Sequence, residues 1–435
     1  MKDRHCFWWL CALFLLFAPA PAWSAEDYSF DLSETEKQPF YLGGYTEFSP
    51  EISSADKGAA LYRLKHYNHD EAVLADAYAF KLQLEGSYEK GMARLFTRIN
   101  VNGGYAFDEW SDEANVYEGY LSLKPSSSLV LEAGKKTLRW GKGYAWNPVA
   151  FLDRPKNPDD PELSLEGIVV ASADYTRSFS GPLQTLSFTP VLIPVYDSFN
   201  DDFGRADHLN VAGKVYLLFY DTDIDFIVLS GASKTSRYGA DFSRNITPSF
   251  EVHGEVARID DYQKKAIDSL GQISVTEYDA FSYLLGLRYL TENDVTTIVE
   301  YYHDDTGYEA KEMAGYFSFI DHAYNTYLST GNEMLLAKAT VASESGVGRM
   351  NPMRDYLYAR ISQKEPFDLL YFTPAITCIM NLQDSSFSLS PEVIYTGITN
   401  MEVRLKANII QGEDASEYGE KPNDYLVELR VRYFF

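Results

Sequence analysis

The chain ends Tyr425-Leu426-Val427-Glu428-Leu429-Arg430-Val431-Arg432-Tyr433-Phe434-Phe435. Positions 425, 427, 429, 431, 433 and 435 are all apolar or aromatic, and the alternate positions carry Leu426, Glu428, Arg430, Arg432 and Phe434. A period of two marks an extended strand with one greasy face and one largely charged face. A strand of a soluble β-sandwich would share the alternation, but it has no reason to stop on an aromatic residue of its apolar face.

Working backwards, the same pattern recurs. Phe80, Leu82, Leu84 and Tyr88 alternate with Lys81, Gln83, Glu85 and Glu89, and Leu95, Thr97, Ile99 and Val101 alternate with Arg94, Arg98, Asn100 and Asn102. Phe250, Val252 and Val256 alternate with Glu251, His253 and Glu255, and Met401, Val403, Leu405 and Ile409 with Glu402, Arg404, Lys406 and Asn408. Strands are expected at 41–49, 75–89, 92–104, 114–124, 128–137, 166–179, 183–197, 211–220, 223–233, 236–245, 248–258, 278–290, 295–304, 353–364, 367–381, 384–396, 398–411 and 423–435. Connections from even to odd strands are short, as at Lys90-Gly91, Asp221-Thr222 and Glu365-Pro366. Most connections the other way are long: 50–74, 138–165, 259–277 and 305–352. Short turns on one rim, long loops on the other and both ends on the short side is the layout of an all-β, closed antiparallel transmembrane β-barrel of about 18 strands (16–18), with periplasmic turns and extracellular loops. Closure follows because an open edge in lipid leaves backbone N–H and C=O groups unpaired. A barrel of this size encloses water, so an open interior is expected.

Composition agrees. The 435 residues hold 38 Lys plus Arg against 63 Asp plus Glu, a net charge of −25, with 33 Tyr and 26 Phe. Mean hydropathy is −0.26, too polar for a bundle of membrane helices, and the acidic total argues against nucleic acid as a partner. Residues 1–25 read as a cleaved signal peptide: Lys2 and Arg4, an apolar run from Leu10 to Ala18, then small residues at Ala20-Pro21-Ala22. The barrel then spans 26–435. Cys6 and Cys11 would leave with the signal, so Cys378 alone excludes a disulfide framework.

If the apolar face is outside, the interior can be read. Lys81, Arg94, Arg98, Arg404, Lys406, Arg430 and Arg432 form a basic wall near the closure, and Asp223, Asp225, Asp241, Glu251, Glu255 and Glu300 an acidic wall opposite, with Arg237 and Arg288 as exceptions. Opposed walls would set up a transverse field that orients dipolar or zwitterionic solutes; plain hydration of the lumen is the other reading. The loop after strand 5 carries Arg139-Trp140-Gly141-Lys142-Gly143-Tyr144-Ala145-Trp146-Asn147-Pro148, then Asp153-Arg154-Pro155 and further prolines. Glycines permit tight backbone and prolines stiffen it. Arg139, Trp140, Lys142, Asp153 and Arg154 are therefore candidates for a constriction folded inward, against an ordinary external loop.

Residues 311–345 read as a helical extracellular insertion: Tyr316, Ile320, Ala323 and Tyr327 recur at helical spacing, and Asn332 is placed to cap Met334 onward. Asp201-Asp202 and Asp304-Asp305 are expected at solvated loop tips. His66 and His69 lack a third metal ligand, His253 sits in lumen phase, and no serine has a His and acid partner. No catalysis, metal or cofactor is expected.

Gly134-Lys135-Lys136 leading to Arg139-Trp140-Gly141, then Asn147-Pro148 and Leu165-Glu166-Gly167-Ile168, together with Val299-Glu300-Tyr301-Tyr302-His303-Asp304 and Gly307-Tyr308, resembles porin-like outer-membrane barrels of Gram-negative bacteria, including alginate-export-type channels. The resemblance implies a polar lumen, passive movement of a small solute and residence among outer-membrane lipid and lipopolysaccharide. The terminal Phe435 resembles the signal read by the barrel-assembly machinery. Oligomers are common among such barrels. The alternatives are a polysaccharide exporter, or a structural or adhesive barrel without transport.

Overall fold

The structure, a computed structural model, describes residues 38–68, 74–106 and 109–435. The expected signal peptide and His69 lie outside the described residues. Eighteen strands are described: β1 (Phe40–Ser54), β2 (Leu74–Lys90), β3 (Ala93–Ala106), β4 (Glu109–Ser126), β5 (Leu129–Lys136), β6 (Ile168–Ser178), β7 (Leu183–Val195), β8 (His208–Phe219), β9 (Thr222–Ser230), β10 (Arg237–Thr247), β11 (Phe250–Ile267), β12 (Ile273–Leu290), β13 (Val295–Asp304), β14 (Asp355–Gln363), β15 (Phe372–Asn381), β16 (Phe387–Ile398), β17 (Met401–Gln411) and β18 (Tyr425–Phe434).

Each strand pairs antiparallel with the next, and β18 returns to β1 with Glu47 facing Arg432 and Phe48 facing Val431. Gly44 and Phe435 exchange backbone hydrogen bonds at 3.1 Å in both directions. The sheet is therefore closed, which removes the edges that unpaired strands expose. The C-terminal strand that decided the reading is the one that seals the seam.

The faces sort as the alternation requires. Leu95 is 55% exposed on the outside of β3 while Asn100, inward, is fully buried; in β9, Phe226 is 51% exposed and the adjacent Asp225 is 1% exposed. An outer belt this apolar suits acyl chains rather than water. Aromatic side chains ring the short-turn rim, among them Tyr41, Tyr88, Tyr220, Tyr289 and Tyr433, all exposed. Most turns there are tight: Tyr220 and Asp221 both take positive φ, 48° and 57°, the backbone a two-residue hairpin of this twist needs. The short link expected at Glu365-Pro366 is instead the longer segment 364–371, which holds a 3-10 turn at Pro366–Asp368.

Other expectations change. The segment 259–277 is not a long loop, because β11 and β12 extend upward as a hairpin that leaves only 268–272 between them. The segment expected to be helical holds α2 (Ala310–Thr330) and α3 (Met334–Ala342), preceded in the chain by a short α1 (Ala60–His66) in the β1–β2 loop. The Asn332 carboxamide accepts the Met334 amide at 2.9 Å, one residue outside the Glu333 that takes the N-cap position. Asp304 is no loop tip. It ends β13 on the inner face, 6% exposed, accepting from Ser282, Thr306 and Arg349.

The largest correction concerns the interior. It is not uniformly polar or open. Val191, Ile193 and Val195 of β7 and Ile227 and Leu229 of β9 point inward and are fully buried under Trp140, Val149 and Phe151. A second cluster joins Trp146 to Tyr356 and Tyr358 of β14 and to Met313, Phe317 and Ile320 of α2. Both clusters lie toward the long-loop rim, where loops fold onto inward apolar side chains that would otherwise face water.

Candidate functional site

Residues 137–167, between β5 and β6, hold the site together. Asp153 knits the segment to itself, its two carboxylate oxygens accepting the amides of Leu138 at 2.8 Å and Trp140 at 3.0 Å. Gly141 has φ 100°, and a Cβ there would lie 2.6 Å from the Asn147 amide nitrogen and 2.8 Å from Glu255. A Cβ on Gly143 would lie 2.0 Å from the carbonyl oxygen of Trp146. The two glycines let the backbone press against the barrel wall.

That wall supplies two buried glutamates. Glu255 of β11 accepts the amides of Lys142 at 2.5 Å and Gly143 at 2.6 Å, the Asn147 side chain at 2.9 Å and the Val149 amide at 3.3 Å. Glu300 of β13, fully buried, accepts the amides of Tyr144 and of Ala145, the latter at 2.8 Å, and lies 2.9 Å from His253 Nε2. A carboxylate taken from water needs such donors. Four consecutive loop amides, 142 to 145, provide them.

Further along the same segment, Asp160 reaches a different sector of the barrel. Its carboxylate accepts from Arg404 of β17 at 3.0 Å and Arg430 of β18 at 2.7 Å, while Lys406 donates to the Asp159 carbonyl at 2.7 Å. Leaving from β5, the loop is thus tied to β11 and β13 at one end and to β17 and β18 at the other. It crosses the interior as a bar.

The residues expected to form two charged walls are largely paired with close neighbours and do not face each other across open water. Arg404 also pairs with Glu392 at 2.8 Å, Arg432 with Glu47 at 2.7 Å, and Arg98 with Glu85 at 2.8 Å and Glu118 at 2.7 Å. Lys81 lies over the rings of Tyr45 and Tyr117, and Arg94 over Phe96. On the acidic side Asp225 takes Lys142 at 2.9 Å and Lys214 at 3.7 Å, with Asp241 3.9 Å from Lys142. Asp223 accepts the Tyr216 hydroxyl and Glu251 the Ser243 hydroxyl. Of the remaining loop candidates, Arg154 pairs with Asp202 at 2.6 Å, and Arg139 is exposed.

Loop ionisation follows these partners. Burial opposes charge on Asp160, yet Arg404 and Arg430 hold its carboxyl below the ordinary value. Burial likewise opposes the Lys142 ammonium, and the Asp225 hydrogen bond and charge outweigh it, holding that group above its usual range. Lys156, which donates to the carbonyls of Gly143 and Tyr144, is pushed down by burial.

Asp160, Lys156, Glu118 and Glu392 were not singled out from sequence. The only local signal was the Asp159-Asp160 pair inside a proline-rich loop. Beneath the bar, toward the short-turn rim, lies a cavity of about 410 Å³ bounded by Tyr144, Lys156, Glu162, His253, Arg288 and Arg360.

The closed antiparallel 18-stranded barrel is a porin-like fold that solved structures share. This chain is similar to Pseudomonas aeruginosa OccK5 (OpdH), with 11% identity over 91% of this chain and 98% of that one and a TM-score of 0.51. Acinetobacter baumannii OccAB1 gives 11%, 91%, 96% and 0.51. Wzi of Escherichia coli, a carbohydrate-binding β-barrel involved in group 1 capsule assembly, gives 10%, 91%, 84% and 0.52. At such identities the likeness establishes the fold. No protein-family model and no curated protein sequence matches the chain.

Proposed function

We propose that this protein is an outer-membrane channel of a Gram-negative bacterium that passes small solutes through a lumen narrowed by residues 137–167. The observation that carries the reading is the two-ended tether of that loop, Glu255 and Glu300 on one sector and Arg404 and Arg430 on another. A bar held by buried ion pairs and amide–carboxylate bonds restricts a passage while leaving a polar cavity under it, an arrangement suited to selection by size and charge. Residues 1–25 would be removed on export, Phe435 would serve barrel assembly, and lipopolysaccharide would surround the long-loop end. Transport, not catalysis, is the activity assigned.

Export of an anionic polysaccharide fits less well, because Asp160, Glu392, Glu47 and Glu402 neutralise the arginines that would line its path. Carbohydrate binding of the kind described for Wzi would need sugar-facing surfaces at the long-loop rim, where the apolar cluster around α2 sits. The test is a planar-bilayer recording of purified protein, beside a variant in which residues 141–164 are replaced by a short Gly-Ser linker. Stepwise ion conductance that rises severalfold in the variant is expected. Absence of conductance in both proteins would overturn the channel reading.

A further inference from the structure

The cavity under the bar is built from residues near the short turns: Glu251 and His253 of β11, Arg288 of β12 and Arg360 of β14, roofed by Tyr144, Lys156 and Glu162 of the crossing loop. At about 410 Å³ it falls in the range of small-molecule sites, roughly 300–1,000 Å³. Its charges fall into two groups. Arg360 is satisfied by Glu392 at 2.5 Å and by Thr377, and Lys142 by Asp225. Four others form no lysine– or arginine–carboxylate ion pair among the described residues.

Arg288 makes no ion pair or hydrogen bond among the described residues, although the β11–β12 register sets it directly opposite Glu251. Lys156 donates only to the carbonyls of Gly143 and Tyr144. Among the described residues neither Glu162 nor Glu251 pairs with a lysine or arginine; Glu251 accepts from Ser243 at 2.9 Å and has His253 at 3.7 Å. One small space therefore holds two cations and two carboxylates that form no lysine– or arginine–carboxylate ion pair among the described residues, with Glu300, Glu255 and Asp153 acting on Lys156 only from beyond contact. A neutral solute would displace their water without replacing its hydrogen bonds, which costs affinity. A simple anion would satisfy Arg288 and Lys156 but repel Glu162 and Glu251, and a simple cation would do the reverse.

We infer that this cavity binds a small zwitterion of the amino-acid class, its carboxylate on Arg288 and Lys156 and its ammonium on Glu251 and Glu162. Resting on the channel reading, the inference names the solute class that the passage selects. It is tested on full-length, detergent-solubilised protein by equilibrium binding of labelled L-leucine, L-glutamine and glycine. The comparison compounds are 4-methylpentanoate, which is leucine without its amine, and isoamylamine, which lacks the carboxylate. At least one amino acid is expected to bind tenfold or more tightly than either comparison compound. Arg288→Gln and Glu251→Gln, each checked for native heat-modifiable mobility in electrophoresis, should each weaken that binding about tenfold. Equal binding of 4-methylpentanoate, binding indifferent to both substitutions, or no binding by any of the three amino acids would overturn the inference. Salt conductance separates the two readings: conduction without amino-acid binding sinks only the site, and binding without conduction sinks only the channel.

Discussion

The carboxylate of Glu255 receives the backbone amide of Gly143 at 2.6 Å, although 112 residues of chain separate them. Glu255 is 4% exposed, so without the loop it would be a carboxylate with no water and few donors. The loop in turn finds acceptors for its amides 142 to 145 in Glu255 and Glu300. Each partner removes a cost the other would bear, and leaving either one unsatisfied is worth about 1–3 kcal/mol. The crossing is fixed by mutual need.

Replacing Glu255 by Gln should loosen the bar, since an amide offers one acceptor oxygen where the carboxylate serves four donors. Trypsin cleavage after Lys142 and Lys156 in the folded, detergent-solubilised barrel is expected to accelerate about tenfold, equivalent to about 1.4 kcal/mol of local opening. Cleavage at the native rate would show that Glu255 does not hold the loop.

Gly143→Val should give the same protease phenotype by a different route. Its Cβ would stand 2.0 Å from the Trp146 carbonyl oxygen, so the backbone must move off the wall. Trp146, buried and stacked 5.2 Å from Tyr302, should then shift its fluorescence to the red. An unchanged emission maximum contradicts the geometry.

Asp160→Asn should remove the one carboxylate that Arg404 and Arg430 share, leaving Arg404 with Glu392 and Arg430 with Glu428. The channel is expected to turn more anion-selective, read as a reversal-potential shift under a salt gradient. The pH dependence has a definite sign. Because the two arginines hold the native carboxyl below its unfolded value, the tether is at full strength above the ordinary Asp range near 3.9 and fails only as pH falls through the depressed value. Wild-type loop protection should therefore be flat from pH 8 to 5 and decline below, while the Asn variant shows no such acid step. A wild-type loss of protection between pH 7 and 5 would count against Asp160 as the anchor.

Glu417, in the β17–β18 loop, titrates the other way. Burial pushes its carboxyl up to about 7, against the pull of Lys421 and the hydrogen bonds from Tyr356 at 2.6 Å and Asn381 at 2.8 Å. Below the unfolded value near 4.3 it is neutral in both states and costs nothing. As pH rises toward 7 the unfolded chain ionises first, so packing of this loop weakens and stays weaker above 7. Glu417→Gln should remove that slope and raise protection at pH 8, by about 1–3 kcal/mol in hydrogen exchange of residues 412–424. Weaker protection of the Gln variant at pH 8 would reverse the assignment.

The sequence by itself determined the wall. Alternation with period two is written residue by residue, so the eighteen strands, their inner and outer faces and the sealing role of the last strand were all readable at Tyr425–Phe435 and its counterparts. The inward phase of the charged residues was readable for the same reason, because position within a strand says which side chains point inward. What the alternation does not encode is what meets those side chains. Val191, Ile193 and Leu229 face inward yet are as apolar as the lipid side, and only the folded loop above them explains it. Likewise Arg404 and Arg430 find Asp160 across 244 and 270 residues. Strand geometry is local, set by each residue and its neighbours. The path of a loop is set by which distant donors and acceptors would otherwise stay unpaired, and that condition exists only once the barrel has closed.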